Sequence, residues 1–293
     1  MHATIDAYLD SLKTALHGSD AALVQDALAD AREHLSLALQ AAREKDPTAD
    51  DARALADIIE SYGSPEETAA AYREVERRTA PALERPLKAR SAIGRFLGVY
   101  TDPRAWGGLF YMLIASLTGV FYFSWAITGF AVSVSFLILI IGLPVALLFL
   151  LSIRGLALLE GRLVEALLGV RMPRRPLFTN PNQRWLDRLK ALAADTTTWR
   201  MLGYMVAQFV SGLVYLVLLT LVLAFTLSLL GLPIIQQLAG QGVIVMGTAR
   251  YTVPLWSYPL WVLGGALLWT IFMNMARGIG QLHGRYARWM LIA

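Results

Sequence analysis

Three long stretches of this chain, 105–153, 201–249 and 251–276, contain no Asp, Glu, Lys or Arg. A transmembrane helix needs about 20 consecutive apolar residues. In lipid the backbone must satisfy its own hydrogen bonds, which a helix does within one segment. The first stretch has room for two spans, and the other two together hold two more with residues to spare. Composition agrees: 56% of the residues are hydrophobic and 16% charged, against about a quarter charged in soluble domains. The expected fold is an all-α membrane protein with spans near 107–128, 132–153, 201–223 and 258–277, plus a small cytoplasmic four-helix domain over 1–80.

The absence of cysteine excludes disulfides, thiolate metal sites and Cys nucleophiles. The first 80 residues show no basic flank followed by an apolar core, so no signal peptide is expected. The net charge of +4 hides a split. Residues 1–80 hold 8 Lys/Arg against 16 Asp/Glu, a charge of −8, and the remainder hold 18 against 6, a charge of +12. The basic residues flank the apolar stretches, where the positive-inside rule puts them, so direct nucleic-acid binding is not expected. Of these basic residues, only Arg250 lies in a segment expected outside; the others lie in the 81–104 linker, the 154–200 connection and the C-terminal end. Both ends of the chain are therefore expected in the cytoplasm, and the protein in a bacterial inner membrane.

Residues 1–80 read as four short helices. Ile5, Tyr8, Leu9, Leu12 and Leu16 share one face at helical spacing. Asp20 is placed to cap a second helix near 20–44, whose stripe is Leu23, Ala27, Leu28, Ala31, Leu35 and Leu39. Thr48 with Asp51 imitates a capping box for a third helix carrying Leu55, Ile58, Ile59 and Tyr62. Gly63 suits its C-terminal end. Ser64, Pro65 and Glu67 then give a cap, an N1 proline and a reciprocal N3 carboxylate. The segments YLDSLKTALHG and LADIIESYGSPEETAAAYRE, with the acidic second helix, resemble the HAAS-type helical signalling domain over residues 4–79. His34 follows Glu33 on a helix but reads as a solvated side chain. None of the other three histidines, His2, His17 and His283, has metal-ligand spacing.

The apolar part looks duplicated. Asp102, Trp106, Tyr111 and Met112 fall on Asp195, Trp199, Tyr204 and Met205 at one shift, and Gly119 and Tyr122 fall on Gly212 and Tyr215. After a slip, Gly142-Leu143-Pro144 meets Gly231-Leu232-Pro233. Arg154, Gly155, Gly161 and Arg162 then meet Arg277, Gly278, Gly284 and Arg285. The expected organisation is a basic juxtamembrane linker at 81–104, a first repeat at 105–175, an amphipathic connection at 176–194 and a second repeat at 195–293. Each repeat supplies two spans, so the two are parallel copies. The second carries an extracytoplasmic insertion near 236–257, in which GVIVMGTARYTV suits a short β-hairpin. Residues 224–235 fit either a re-entrant half-helix or an extension of the third span.

A proline inside a helix removes one hydrogen bond and clashes with the carbonyl four residues back. Those carbonyls, Ile140 and Leu229, find no donor in lipid, so both breaks are expected to face protein. One reading is a kink that lets helices cross. The sharper one is a cavity for a ligand or lipid tail, with Gly142, Pro144, Gly231, Pro233, Tyr122, Tyr215, Gln208 and Asn274 as candidate lining. Intramembrane carboxylates are not expected, which argues against proton-coupled transport. His283 and Glu160, at matched positions, are the only acid–base pair worth naming. No enzyme activity, metal site or cofactor is expected.

NQRWLDRLKALAAD sets Trp185, Leu189 and Leu192 on one side of a helix suited to the membrane interface. Arg174, Arg175, Arg184, Arg188 and Lys190 are the candidate contacts to anionic lipid, while Trp106, Trp199 and Trp289 fit an aromatic belt. AWGGLFYMLIASLTGVFYF, IGLPVALLFLLSIRGLALLEGRLVEALLGV and DTTTWRMLGYMVAQFVSGLVY resemble the "putative sensor" membrane domain often joined to bacterial histidine kinases. The resemblance covers about 100–235 and lacks any kinase module. One departure is Gly161 between Glu160 and Arg162.

These readings point to a membrane sensory protein that relays an envelope signal through its acidic domain to a cytoplasmic regulator. The resemblance implies a PadR-type or other signalling partner. The alternative is a small transporter or channel component. The acidic domain can dock on a basic partner, or fold back on the chain's own basic collar as a latch. Membrane lipids are the other expected partners, and homo-oligomerisation is left open.

Overall fold

The computed structural model describes residues 4–46, 50–79, 91–136, 142–175, 184–240, 242, 244–246 and 249–292. The N-terminal domain holds α1 (Ile5–Ala15), α2 (Ala21–Lys45), α3 (Asp51–Tyr62) and α4 (Pro65–Thr79). The expected apolar faces meet in one core of Tyr8, Leu9, Leu12, Leu16, Ala27, Ala31, Leu35 and Ala69, with Ile58, Ile59 and Tyr62 packed against it. Tyr8 is fully buried, and its hydroxyl bonds the Gly63 carbonyl at 3.0 Å and Thr68 at 3.1 Å. Those bonds fasten α1 to the turn that starts α4.

The punctuation is mostly as expected. Asp20 accepts from the Ala22 amide. Gly63 has φ 108°, a conformation that disfavours a Cβ. For α3 the capping residue is Asp50, which accepts from the Ala52 amide; Thr48 lies outside the described residues. Ser64 Oγ accepts from the Glu67 amide at 3.2 Å, and Glu67 Oε2 accepts from the Ser64 amide at 3.0 Å. Ser64→Ala should lower protection of α4 amides against hydrogen exchange by about 0.5–2 kcal/mol. The Ser64 backbone and side-chain hydrogen bonds hold the Glu67 carboxyl below its ordinary pKa. A depressed folded-state pKa stabilises above the unfolded value and is lost as pH falls through the folded value. Acid should therefore weaken α4 in the native chain more than in Glu67→Gln, as read by the same exchange.

Beyond the head come α5 (Ala92–Leu97), a 3-10 turn at Gly98–Thr101, α6 (Pro103–Phe136), α7 (Gly142–Leu168), α8 (Trp185–Ala194), α9 (Thr196–Ala239) and α10 (Tyr258–Leu291). The helices α6, α7, α9 and α10 are long and apolar enough to cross a membrane. The chain is a multi-pass membrane protein. Strands β1 (Ile244–Met246) and β2 (Ala249–Tyr251) pair antiparallel, Val245 opposite Arg250. This is the expected hairpin, with turn residues 247–248 outside those described.

The helices overrun the expected spans, and the two Gly-Leu-Pro motifs differ. The described part of α7 begins at Gly142, two residues before Pro144, and residues 137–141 lie outside those described. Pro144 itself is exposed. Ile140 lies outside the described residues. Pro233 does lie inside a helix, α9, and is buried as expected. Residues 224–235 extend the third span, since α9 runs unbroken for 44 residues. The 81–104 linker also contains an unexpected helix, α5.

By contacts, the chain forms two compact units. The first comprises 1–85, 124–204 and 285–293; within it α7 packs on α8, and the Trp125 indole donates to Ser152 on α7 at 2.8 Å. The second comprises 86–123 and 205–284. Its core joins Met112 of α6 to Phe272 and Ala276 of α10, with Tyr215, Leu218 and Leu219 of α9 against them. The helices α6, α9 and α10 each contribute to both units.

Candidate functional site: a docking fork and matched polar pairs

Within the first unit, the acidic head is fastened to the segment that follows α7. Gly169, at φ 69°, ends that helix and releases a stretch without regular structure through Arg171 to Arg175. The Arg171 guanidinium is 4% exposed. Its Nε donates to Glu76 on α4 at 2.7 Å and its Nη2 to Asp26 on α2 at 2.9 Å. Asp26 is also buried, and its other oxygen accepts from the Arg174 and Arg175 amides at 2.7 and 2.9 Å. Burial is the largest single influence and opposes the Arg171 charge, but the hydrogen bonds it donates to Glu76 and Asp26, together with their negative charges, outweigh it and raise the guanidinium pKa. Around this fork, Arg175 pairs with Asp30, Arg174 with Glu165, and Arg288 with Asp20 at 2.7 Å. A two-pronged guanidinium fits this pattern better than a lysine would.

A cavity lies beside the fork, lined by Gln25 of the head, Arg154, Leu158 and Gly161 of α7, Met172, and Met201 of α9. It joins head, connection and span in one lining.

The polar pairs among the long helices recur at matched positions. In the second unit, Asp102 pairs with Arg277 at 3.2 Å. In the first, Asp195 pairs with Arg154, whose Nη2 also donates to Thr198 at 3.0 Å. Tyr111 bonds His283 at 2.7 Å in the second unit, and Tyr204 donates to Glu160 at 3.0 Å in the first. Asp102 and Tyr111 fall on Asp195 and Tyr204, while Arg154 and Glu160 fall on Arg277 and His283. The smaller details agree. Asp102 caps the Arg104 amide and Asp195 the Thr197 amide, both at 3.0 Å. Trp106 donates to the Tyr100 carbonyl, and Trp199 to the Ala193 carbonyl. A Cβ on Gly119 would lie 2.6 Å from the Gln208 carbonyl oxygen, and one on Gly212 lies 2.5 Å from that of Ala115. Each glycine thus meets the residue matched to the other's contact.

The second unit adds a hub. His283 is buried with Tyr111 on Nε2 and Tyr215 on Nδ1, at 2.7 and 2.8 Å, and Gln208 donates to Tyr111 at 3.1 Å. In a neutral imidazole one nitrogen donates and the other accepts. His283→Phe removes a partner from both tyrosines and should lower thermal stability by about 1–3 kcal/mol.

Of the candidate ligand residues, the structure brings Tyr215 and Gln208 together around Tyr111 and His283. Asn274 stands elsewhere in that unit, donating to the Phe96 carbonyl and accepting from Arg277. Tyr122 is buried. Gly142 and Pro144 belong to the first unit, Gly231 and Pro233 to the second. Among the candidate lipid contacts, Arg174 and Arg175 are engaged by acidic side chains, whereas Arg184 and Lys190 are exposed and Arg188 is half-buried. Sequence reasoning missed Arg171, Asp26 and Glu76. The available signal was Asp26 on the otherwise apolar face of α2. Glu160 is buried, so a carboxylate does lie within a long apolar helix. It bonds Tyr204 in the first unit, while His283 bonds Tyr111 and Tyr215 in the second.

No curated protein and no solved structure matches this chain. Residues 111–291, more than half of the chain and the whole of the hub, match the family described as "Putative sensor": the chain belongs to that family.

Proposed function

We propose that the protein senses a signal at the membrane through its spans and relays it by loosening the acidic head from the connection after α7, freeing the head for a cytoplasmic regulator. The head corresponds to the HAAS-type domain that its sequence resembles, and a PadR-type regulator or another signalling protein is the partner this implies. The observation that carries the reading is the Arg171 fork. It ties α2 and α4 to a segment only a few residues beyond a long apolar helix, so a shift of α7 pulls on the head directly. We also read 105–175 and 195–293 as two copies of one unit, on the strength of the matched pairs. The basic connection lies on the cytoplasmic side, with the head beside it, in the inner membrane. The protein is a relay and not an enzyme.

The chain has no cysteine, so spin labels attach only where cysteines are introduced. Labels at Leu37→Cys on the head and Leu159→Cys on α7, both exposed, report their separation in nanodiscs. Adding a cationic amphiphilic peptide should create a longer-distance population, and Arg171→Gln should create it without the peptide. An unchanged distance under both conditions would sink the relay. Peptide-driven solute flux in liposomes with an immobile head would favour the channel alternative.

A further inference from the structure

The far end of α9 and the hairpin beyond it form a surface that the relay leaves unused. At about 1.5 Å per residue, the 44 residues of α9 reach about 66 Å. The hydrocarbon core of a bilayer is about 30 Å thick. From Met201 to its end α9 carries no charge, so the helix cannot stand upright in the bilayer with its last turns in water at no penalty. Those turns remain apolar and uncovered: Ile234, Ile235 and Leu238 are exposed, Leu238 by 83%. Leu255, Trp256 and Tyr251, which follow in the hairpin and its exit, are exposed as well, Trp256 by 75%.

This shelf is built, not loose. Gln236, buried on α9, uses its amide as a strand edge would: Nε2 donates to the Val253 carbonyl and Oε1 accepts from the Val253 amide, both at 2.7 Å. Nε2 also donates to Tyr258 at 3.0 Å, so one side chain holds the hairpin's exit and the start of α10 on the end of α9. Gly242 fits against Tyr251, whose backbone carbonyl would lie 2.6 Å from an added Cβ. The one charge on the segment is Arg250, exposed on β2 beside Tyr251.

We infer that the Gln236-clamped hairpin and Trp256 form a lipid-binding shelf seated in the headgroup layer of an anionic bilayer. Aliphatic side chains of α9 meet the acyl boundary, Trp256 and Tyr251 lie at the depth such rings prefer, and Arg250 pairs with a lipid phosphate. The shelf gives the sensory reading a signal class, amphiphiles or lipids at this leaflet. It rests on that reading only for its purpose, because the test below does not involve the head.

The full chain is reconstituted in phosphatidylcholine vesicles with and without phosphatidylglycerol, carrying an environment-sensitive fluorophore at Trp256→Cys or, separately, Leu255→Cys. Lipids with a nitroxide near the headgroup should quench either label at least about threefold more than they quench a label at Leu37→Cys, and aqueous iodide should quench it less. Gln236→Ala should raise iodide access at position 256. Arg250→Gln should reduce quenching in vesicles with phosphatidylglycerol and leave it unchanged without. Labels as open to iodide as position 37 and unquenched by lipid would overturn the shelf. Protection from both quenchers would overturn it in favour of cover by a second copy of the chain. Equal quenching with and without phosphatidylglycerol would remove the phosphate contact.

Discussion

Arg171→Met should loosen the head from the rest of the chain by about 3–5 kcal/mol, the usual penalty for removing one partner of a buried ion pair. The methionine keeps most of the stem's bulk, so the loss is electrostatic. Asp26 retains the Arg174 and Arg175 amides, but it and Glu76 both lose a charged donor. Hydrogen exchange on the full chain in nanodiscs would read this as faster opening of α2 and α4, with α1 following because Tyr8 ties it to the start of α4. Arg171→Lys restores the charge without the fork and should recover only part of the loss. The peripheral pairs should matter far less. Arg288 with Asp20 is more exposed than the fork, and such pairs contribute at most about 1 kcal/mol. Equal effects at positions 171 and 288 would mean that no single contact fastens the head.

The second large effect is expected where α6 and α9 cross. Gly119→Ile and Gly212→Ile each push a branched side chain into a backbone carbonyl, which cannot rotate aside as a side chain can. Overpacking costs about 1–3 kcal/mol where neighbours yield, and these sites should reach or exceed the upper figure. Both belong to the second unit and meet matched backbone positions, so the two variants should lower the melting temperature by similar amounts. The double variant should fall short of the sum, because one displaced crossing accommodates both side chains. Additive losses would show that the two glycines act at independent contacts.

Much of the fold was legible in the sequence because its signals are local. Charge-free stretches, helical spacing in α1 and α2, the Ser64–Glu67 box and the β-branched runs around the hairpin depend on neighbours in sequence. Helix ends in the apolar part were not, since hydropathy marks what can enter lipid and not where a helix stops. So α9 ran past residue 223. The polar pairs were half legible: aligning the two apolar stretches of the sequence named Asp102, Tyr111, Arg154 and Glu160. Which residue each would bond was a matter of three-dimensional packing. The fork was the least legible, because Asp26 and Arg171 are far apart in sequence and neither occurs in a motif. Only the opposite charges of head and collar hinted that the two would meet.

Asp102 and Tyr111 bond residues of α10, while Arg154 bonds Asp195 just before α9 and Thr198 on it, and Glu160 bonds Tyr204 of α9. On the duplication proposed above, these four groups of the first half find their partners in the second. A half-length forerunner would have been complete only as a two-fold pair of identical molecules, each finishing the other. On that proposal, joining two copies would free one position from serving both sites, so that a glutamate could stand where its counterpart is a histidine. The same logic implies that the halves, expressed as separate chains broken between α7 and α8, should find each other again.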